Sequence, residues 1–263
     1  MIVLVVDVGG THVKVLATGQ RTPVKIDSGP TLTAAEMVAG VKEATAAWSY
    51  DVVSIGYPGP VRGGRPAVEP HNLGSGWVDF DYEAGFGRPV RVLNDAAMQA
   101  LGSYEGGRML FLGLGTGLGS ALVVDGIVQP LELAHLPYRH GRTFEEYVGA
   151  AGFDRLGPKR WRKRVAQVVS MLCEAMQADY VVVGGGNAKK LDGLPPGARP
   201  GENAHAFVGG MRLWEMPEFP RAPEQPGPPV KAGKVDDPAA PAPPPPDAPA
   251  GAKPAPGKRP AGA

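Results

Sequence analysis

The sequence predicts a bilobal α/β protein built from two mixed β-sheets flanked by helices, and three observations carry that expectation. Apolar runs of strand length alternate with stretches of helical spacing through residues 1–215. The order strand, strand, strand, helix, strand is followed by a second round much like it. Each round also places a glycine-rich turn directly after its first strand: Asp7-Val8-Gly9-Gly10-Thr11 in the first and Leu114-Gly115-Thr116-Gly117-Leu118-Gly119-Ser120 in the second.

Residues 2–7, 12–18 and 22–28 are β-rich runs separated by turn residues, and residues 33–48 space Met37, Val38, Val41, Ala44 and Trp48 as a helical face. A strand follows at 52–57, then a long loop over 58–76, a short helix near 82–85, a strand at 90–93 and a helix from 95 to 101. The second round has strands at 109–112, 120–124 and 126–130, the last two joined by the hairpin-forming pair Asp125-Gly126. Residues 142–150 read as helical, and residues 159–177 place Val165, Val168, Val169, Leu172 and Met176 on one face, with basic residues at the start. A buried strand at 180–183 runs into Gly184-Gly185-Gly186, and a final helix is expected over 203–214 with Asn203 as its cap. The lobes divide as residues 1–94 and 95–215.

Composition sets the remaining bounds. The chain has 263 residues, of which 43% are hydrophobic, enough for one large domain or two modest ones. More than half of its 29 prolines follow Glu215, so residues 216–263 read as a disordered or polyproline-like tail. A net charge of +1 gives no electrostatic reason to expect nucleic acid or a membrane surface as partner. Cys173 is the one cysteine, which excludes an internal disulfide and a cysteine-rich zinc site and fits a cytoplasmic setting. The N-terminal apolar run is too short for a signal peptide, and no segment approaches a membrane span.

The glycine turns suggest phosphate. Without Cβ atoms, backbone N–H groups reach anionic oxygens, and Thr11 and Thr116 each add a hydroxyl donor. A dinucleotide fingerprint fits no register of Gly113, Gly115, Gly117 and Gly119, and the turn leads into a strand where that fingerprint opens a helix. Gly184 to Lys189 is not a Walker loop, because the lysine spacing is wrong and no Ser or Thr follows. Asn94-Asp95, at a strand end between the two turns, places a carboxylate where an acceptor hydroxyl would need a base, although the same pair would also cap the next helix.

These segments, with Gly56 to Val61, Asn72 to Trp77, Leu93 to Ala96 and Gly184 to Lys190, occur in an order that resembles the ROK family of sugar kinases and repressors over roughly residues 2–214. The likeness is greater to its polyphosphate-dependent glucokinase branch, within the actin-like ATPase superfamily of ribonuclease H-like fold. The resemblance implies a kinase that moves a phosphoryl group from polyphosphate or ATP to a hexose, glucose first. It makes Asp95 the catalytic base, and Asn72, Asn94, Glu132, His135 and Glu145 the sugar ligands. Asp7, Gly9, Gly10, Thr11, Lys14, Gly115, Thr116, Gly117, Gly185 and Gly186 would hold the donor.

Ala134 stands where the family's Glu-x-Gly-His element has glycine, which would strain the backbone if that position needs φ > 0. Many relatives bind zinc just beyond it, but this chain has His140 and no cysteine there, so no structural zinc is expected. Mg²⁺ is expected near Asp7 and Asp95. Lys14, Arg62, Arg65, Lys189 and Lys190 would favour polyphosphate, whereas the Pro- and Gly-rich segment 191–202 offers little for an adenine pocket. A homodimer stays open. Two other classes are alternatives: a repressor, which would carry a DNA-binding element ahead of the first turn, and a non-catalytic sugar-binding protein whose tail recruits partners.

Overall fold

A computed structural model describes residues 1–216. The first sheet is built from β1 (Val3–Val8), β2 (His12–Ala17), β3 (Val24–Asp27), then, after helix α1 (Ala34–Ala44), β4 (Val52–Tyr57). A small hairpin, β5 (Val61–Arg62) with β6 (Arg65–Pro66), and helix α2 (Tyr82–Phe86) lead to β7 (Val90–Asn94). The order across the sheet is β3-β2-β1-β4-β7, antiparallel on the β1–β2–β3 side and parallel from β1 through β4 to β7. Helix α3 (Asp95–Ser103) then opens the second round.

The second sheet repeats this plan with β8 (Arg108–Leu114), β9 (Leu118–Val124), β10 (Ile127–Leu131) and, after a short hairpin β11 (Pro137–Arg139) with β12 (Arg142–Thr143) and helices α4 (Glu145–Val148), α5 (Ala150–Leu156) and α6 (Pro158–Ala175), strands β13 (Tyr180–Gly184) and β14 (Ala198–Pro200). Its order is β10-β9-β8-β13-β14, with the same antiparallel and parallel halves. In each sheet the first strand is central and its turn to the next strand is the glycine turn. β1 and β4 are almost wholly buried because helices cover both faces, so they read as mostly apolar runs, broken only near Asp7 and at Ser54 and Gly56, and not as alternation.

Helix α7 (His205–Arg212) returns the end of the chain to the first sheet. Ser54 Oγ on β4 donates to Gly210 O at 2.6 Å, and Trp214 Nε1 donates to Ser54 Oγ at 2.9 Å. Arg91 on β7 donates to Leu213 O at 2.7 Å and stacks over the Trp214 ring. Helix α7 also lies directly on α3: a Cβ at Gly102 would come within 1.9 Å of His205 O, and one at Gly209 within 1.8 Å of Met98 O. Two backbones meet here without side chains between them.

Three local expectations need correction. Residues 142–150 are not one helix: His140 (φ 50°) and Gly141 (φ 71°) form a left-handed turn that pairs β11 with β12, and the chain breaks again at Gly149, whose Cβ would sit 2.6 Å from Thr116 O. Asn203 does not cap the last helix, which begins at His205 after Ala204 with no side-chain cap. The long helix after the first three strands ends at Ala44, with Thr45 turning its hydroxyl back to Val41 O at 2.7 Å. Asp125-Gly126, both left-handed, makes the expected hairpin turn. Apart from Met216, the tail expected over 216–263 lies outside the described residues. Among the described residues no helix is long and apolar enough to cross a membrane.

Candidate active site

The first turn is held by its own strands. Gly9 N donates to His12 O at 3.1 Å, and the β1–β2 register sets Lys14 opposite Asp7 with Nζ 3.6 Å from Oδ2. Gly10 is packed so closely that a Cβ would lie 3.3 Å from Asn72 Cβ. Asn72 reaches that place because its loop is internally tied: Glu69 accepts from Trp77 N at 3.1 Å, Trp77 is fully buried, and Gly74 N donates to Leu32 O at 2.9 Å. Neither Gly9 nor Gly10 has positive φ, so close approach, and not a left-handed backbone, is what favours glycine at these two positions.

At the end of β7, Asn94 is the N-cap of α3, its Oδ1 accepting from Ala97 N at 3.1 Å while its amide nitrogen donates to Gly59 O at 3.1 Å. One amide hydrogen remains for another acceptor. Asp95 is the first helical residue, and its Oδ1 accepts from Ala96 N at 2.7 Å. Burial, then the neighbouring Asp7 carboxylate and more weakly Glu132, push the Asp95 carboxyl up to about 7, against the backbone N–H bonds that favour its charged form. Burial also raises Asp7, with Lys14 pulling the other way.

Glu132 directly follows β10, and a 3-10 turn over Leu133–His135 comes next. Ser120 fixes this turn by donating to Leu131 O at 2.9 Å and accepting from Leu133 N at 3.2 Å. Ala134 is buried, and among described non-glycine residues only Asp125, His140 and Gln177 have positive φ, so alanine brings no backbone strain there. The His135 ring stands between two acids, Nε2 3.9 Å from Glu132 Oε2 and Nδ1 3.6 Å from Glu145 Oε1. Glu145, at the start of α4, in turn meets the second glycine turn: a Cβ on Gly117 would lie 2.6 Å from Glu145 Oε2.

Gly115, Thr116 and Gly117 are joined to the third glycine segment. Asn187 Nδ2 donates to Gly115 O at 2.7 Å, and Gly185 (φ 83°) lies so near that a Cβ would be 2.4 Å from Leu114 O. Gly186 opens onto free space. Contacts and short-range fields therefore run from Asn72 and the first turn, through Asp7, Asp95, Glu132, His135 and Glu145, to the second and third turns.

The cations do not gather in one groove. Lys14 is taken up by Asp7, while Arg65 on the β5–β6 hairpin lines a separate depression with Phe80, Arg91 and Trp214. Lys190 places its ammonium 4.0 Å from the Phe153 ring centroid. Among the described residues no three His, Cys, Asp or Glu side chains group as metal ligands. Asp7 and Asp95 still offer two hard oxygen donors in one field, the kind of set that fits a Mg²⁺ keeping most of its waters and taking phosphate oxygens. Ser120 and Asn187 were not singled out in the sequence; Asn187 closes the Gly-Gly-Gly run, the one signal that marked it.

Paired five-stranded sheets of identical order, each with a phosphate-type turn after its first strand, define the fold of the actin-like ATPases. Residues 3–130 of this chain match the model of the ROK family. The polyphosphate glucokinase of Mycobacterium tuberculosis (strain ATCC 25618 / H37Rv) is 29% identical over 206 residues, covering 71% of this chain and 72% of that protein. Among solved structures, the inorganic polyphosphate/ATP-glucomannokinase of Arthrobacter sp. strain KM superposes with a TM-score of 0.69 at 23% identity, over 82% of this chain and 99% of that one. A ROK family glucokinase from Streptomyces griseus, solved with glucose and AMPPNP, gives 0.64 at 17% identity over 81% and 99%.

Proposed function

We propose that this protein is a hexose kinase that transfers a phosphoryl group from inorganic polyphosphate or ATP to a hexose hydroxyl, converting glucose to glucose 6-phosphate. The observation that carries the reading is the Asp95 carboxyl, poised near neutrality among Asp7, Glu132 and the His135–Glu145 pair. The names of the relatives, polyphosphate glucokinase and polyphosphate/ATP-glucomannokinase, support the same class and the choice of donors.

In this reading the hexose lies between an N-terminal lobe of residues 1–94 and a C-terminal lobe of residues 95–215. Glu132 and Glu145 accept hydrogen bonds from sugar hydroxyls, His135 donates or accepts, and Asn72 and the remaining Asn94 amide hydrogen complete the grip. Ionised Asp95 takes the hydroxyl proton as the new O–P bond forms and the bond to the bridging oxygen breaks, releasing a shortened polyphosphate or ADP. Backbone N–H groups of Gly9, Gly10, Thr11 and of Gly115 to Gly117, with Gly185 and Gly186, hold donor oxygens. Mg²⁺ beside Asp7 and Asp95 would neutralise donor charge.

The test is a panel of hexoses against ATP and long-chain polyphosphate, with hexose binding measured in parallel. Phosphorylated sugar as product supports the proposal. Hexose binding without turnover under either donor would overturn it in favour of a sugar-binding regulator; a ROK family transcriptional regulator also shares the fold, with a TM-score of 0.62.

A further inference from the structure

The chain is nearly neutral overall, with 27 cationic and 26 acidic residues, yet its cations are unevenly spread. Between Arg155 and Arg164 there are six basic residues and no carboxylate. Most of them open α6, where Trp161 and Val165 are buried and Lys159, Arg160 and Lys163 are exposed. Lys159, Arg162 and Lys163 stand at i, i+3 and i+4 and so share one face.

That face is fixed to the donor side of the candidate site. Arg162 Nε donates to Lys190 O at 2.7 Å, and its guanidinium pairs with Asp192. Lys189 and Lys190 end the 3-10 turn Gly186–Lys190, whose Asn187 is bonded to Gly115 in the second glycine turn. The Lys190 ammonium over Phe153 is held toward α5 and α6, since Phe153 itself packs edge-on against Trp161. Among the described residues no carboxylate lies within ion-pair distance of Lys159, Arg160, Lys163 or Lys189; Asp192 is engaged with Arg162, and exposed Asp154 is the other nearby acid in sequence.

We propose that the exposed basic face of α6, with Lys189 and Lys190, is a track for the distal part of a linear polyphosphate chain whose reacting end sits at the second and third glycine turns. The proposal rests on the kinase reading for the position of the reacting end. From Gly186 to Lys190 the 3-10 turn alone spans roughly 8 Å, so an anion touching both the turns and the α6 face has to be extended, and each further phosphate can reach further along that face. Each added phosphate contact displaces condensed counterions, which makes affinity grow with chain length and fall with salt. Uniform phosphate spacing suits flexible lysines, which bind phosphate as point charges without demanding one geometry.

The test uses the full-length protein and the double variant Lys159→Gln/Lys163→Gln, with Arg21→Gln/Lys25→Gln as a charge-matched control on another surface. Anisotropy of a labelled long polyphosphate measures binding, and hexose phosphorylation measures KM for long polyphosphate and for tripolyphosphate. The expected result is that wild type prefers the long chain and that the α6 variant loses about tenfold of that preference, with a shallower salt dependence, while the control keeps it. The track is overturned if wild type shows no chain-length preference, if both double variants behave alike, or if single-stranded DNA of equal charge competes as well as polyphosphate. Absence of sugar phosphate with every donor would refute the kinase reading instead, and the anisotropy arm still judges the track.

Discussion

Asp95 holds its proton far above the usual carboxylate range because burial and the Asp7 charge both penalise ionisation. In the unfolded chain the group titrates near 3.8 and in the folded chain near 7, so between those values the folded state binds more protons and stability falls as pH rises. Asp95→Asn removes this penalty: its Tm should match wild type near pH 4 and exceed it by a few degrees at pH 8, read by thermal unfolding. Catalysis has the opposite sign, since only the ionised carboxyl accepts a proton. Wild-type kcat/KM should therefore climb through about pH 7, and Asp95→Asn should lose about 10²- to 10⁴-fold in kcat with hexose affinity within a few fold. At Gly117 an added methyl meets the far end of the Glu145 side chain, which can swing aside. Gly117→Ala should raise the hexose KM several-fold while leaving Tm nearly unchanged, a split that steady-state kinetics and calorimetry resolve.

The contact between α3 and α7 depends on Gly102 and Gly209, where carbonyl oxygens occupy the space of a side chain. Gly209→Ala forces two helices apart and should cost about 1–3 kcal/mol or more, lowering Tm by roughly 2–4 °C for each kcal/mol. Such contacts are hard to read from a sequence, because Gly209-Gly210 inside a helix looks like a weakness until the partner backbone is seen. The strands were legible for the reverse reason: β1, β4, β8 and β13 are mostly apolar runs with Asp7, Gly56, Gly113 and Gly184 at or next to their ends. The β11–β12 hairpin is hard to read because its turn is His140-Gly141 between very short strands, directly ahead of the true helix start at Glu145-Glu146. Within the candidate site, the resemblance pointed to Asp95, Glu132 and His135, and Glu132 and His135 lie side by side in the structure. The link from Gly117 to Glu145 was not, as it joins β9's turn to a helix that begins after an intervening hairpin.

For the molecule as a whole, the described residues end with Arg91 donating to the Met216 carbonyl at 3.0 Å. A chain cut after Met216 keeps that bond and should retain hexose phosphorylation and its Tm, since the removed residues are rich in proline and poor in large apolar side chains; loss of either on truncation would show that the tail takes part in the fold. The repetition of one strand order in both sheets has a further consequence. Each half brings its own centre strand, hairpin and parallel flank, and the two sheets are linked through α3 and the Glu105-Gly106-Gly107 bend that follows it. Two separately expressed polypeptides divided at that bend would have complementary surfaces to find each other, the second one carrying the closing helix that clasps the first. Reassembly of a working catalyst from such fragments would mark this architecture as a covalently joined pair of related modules.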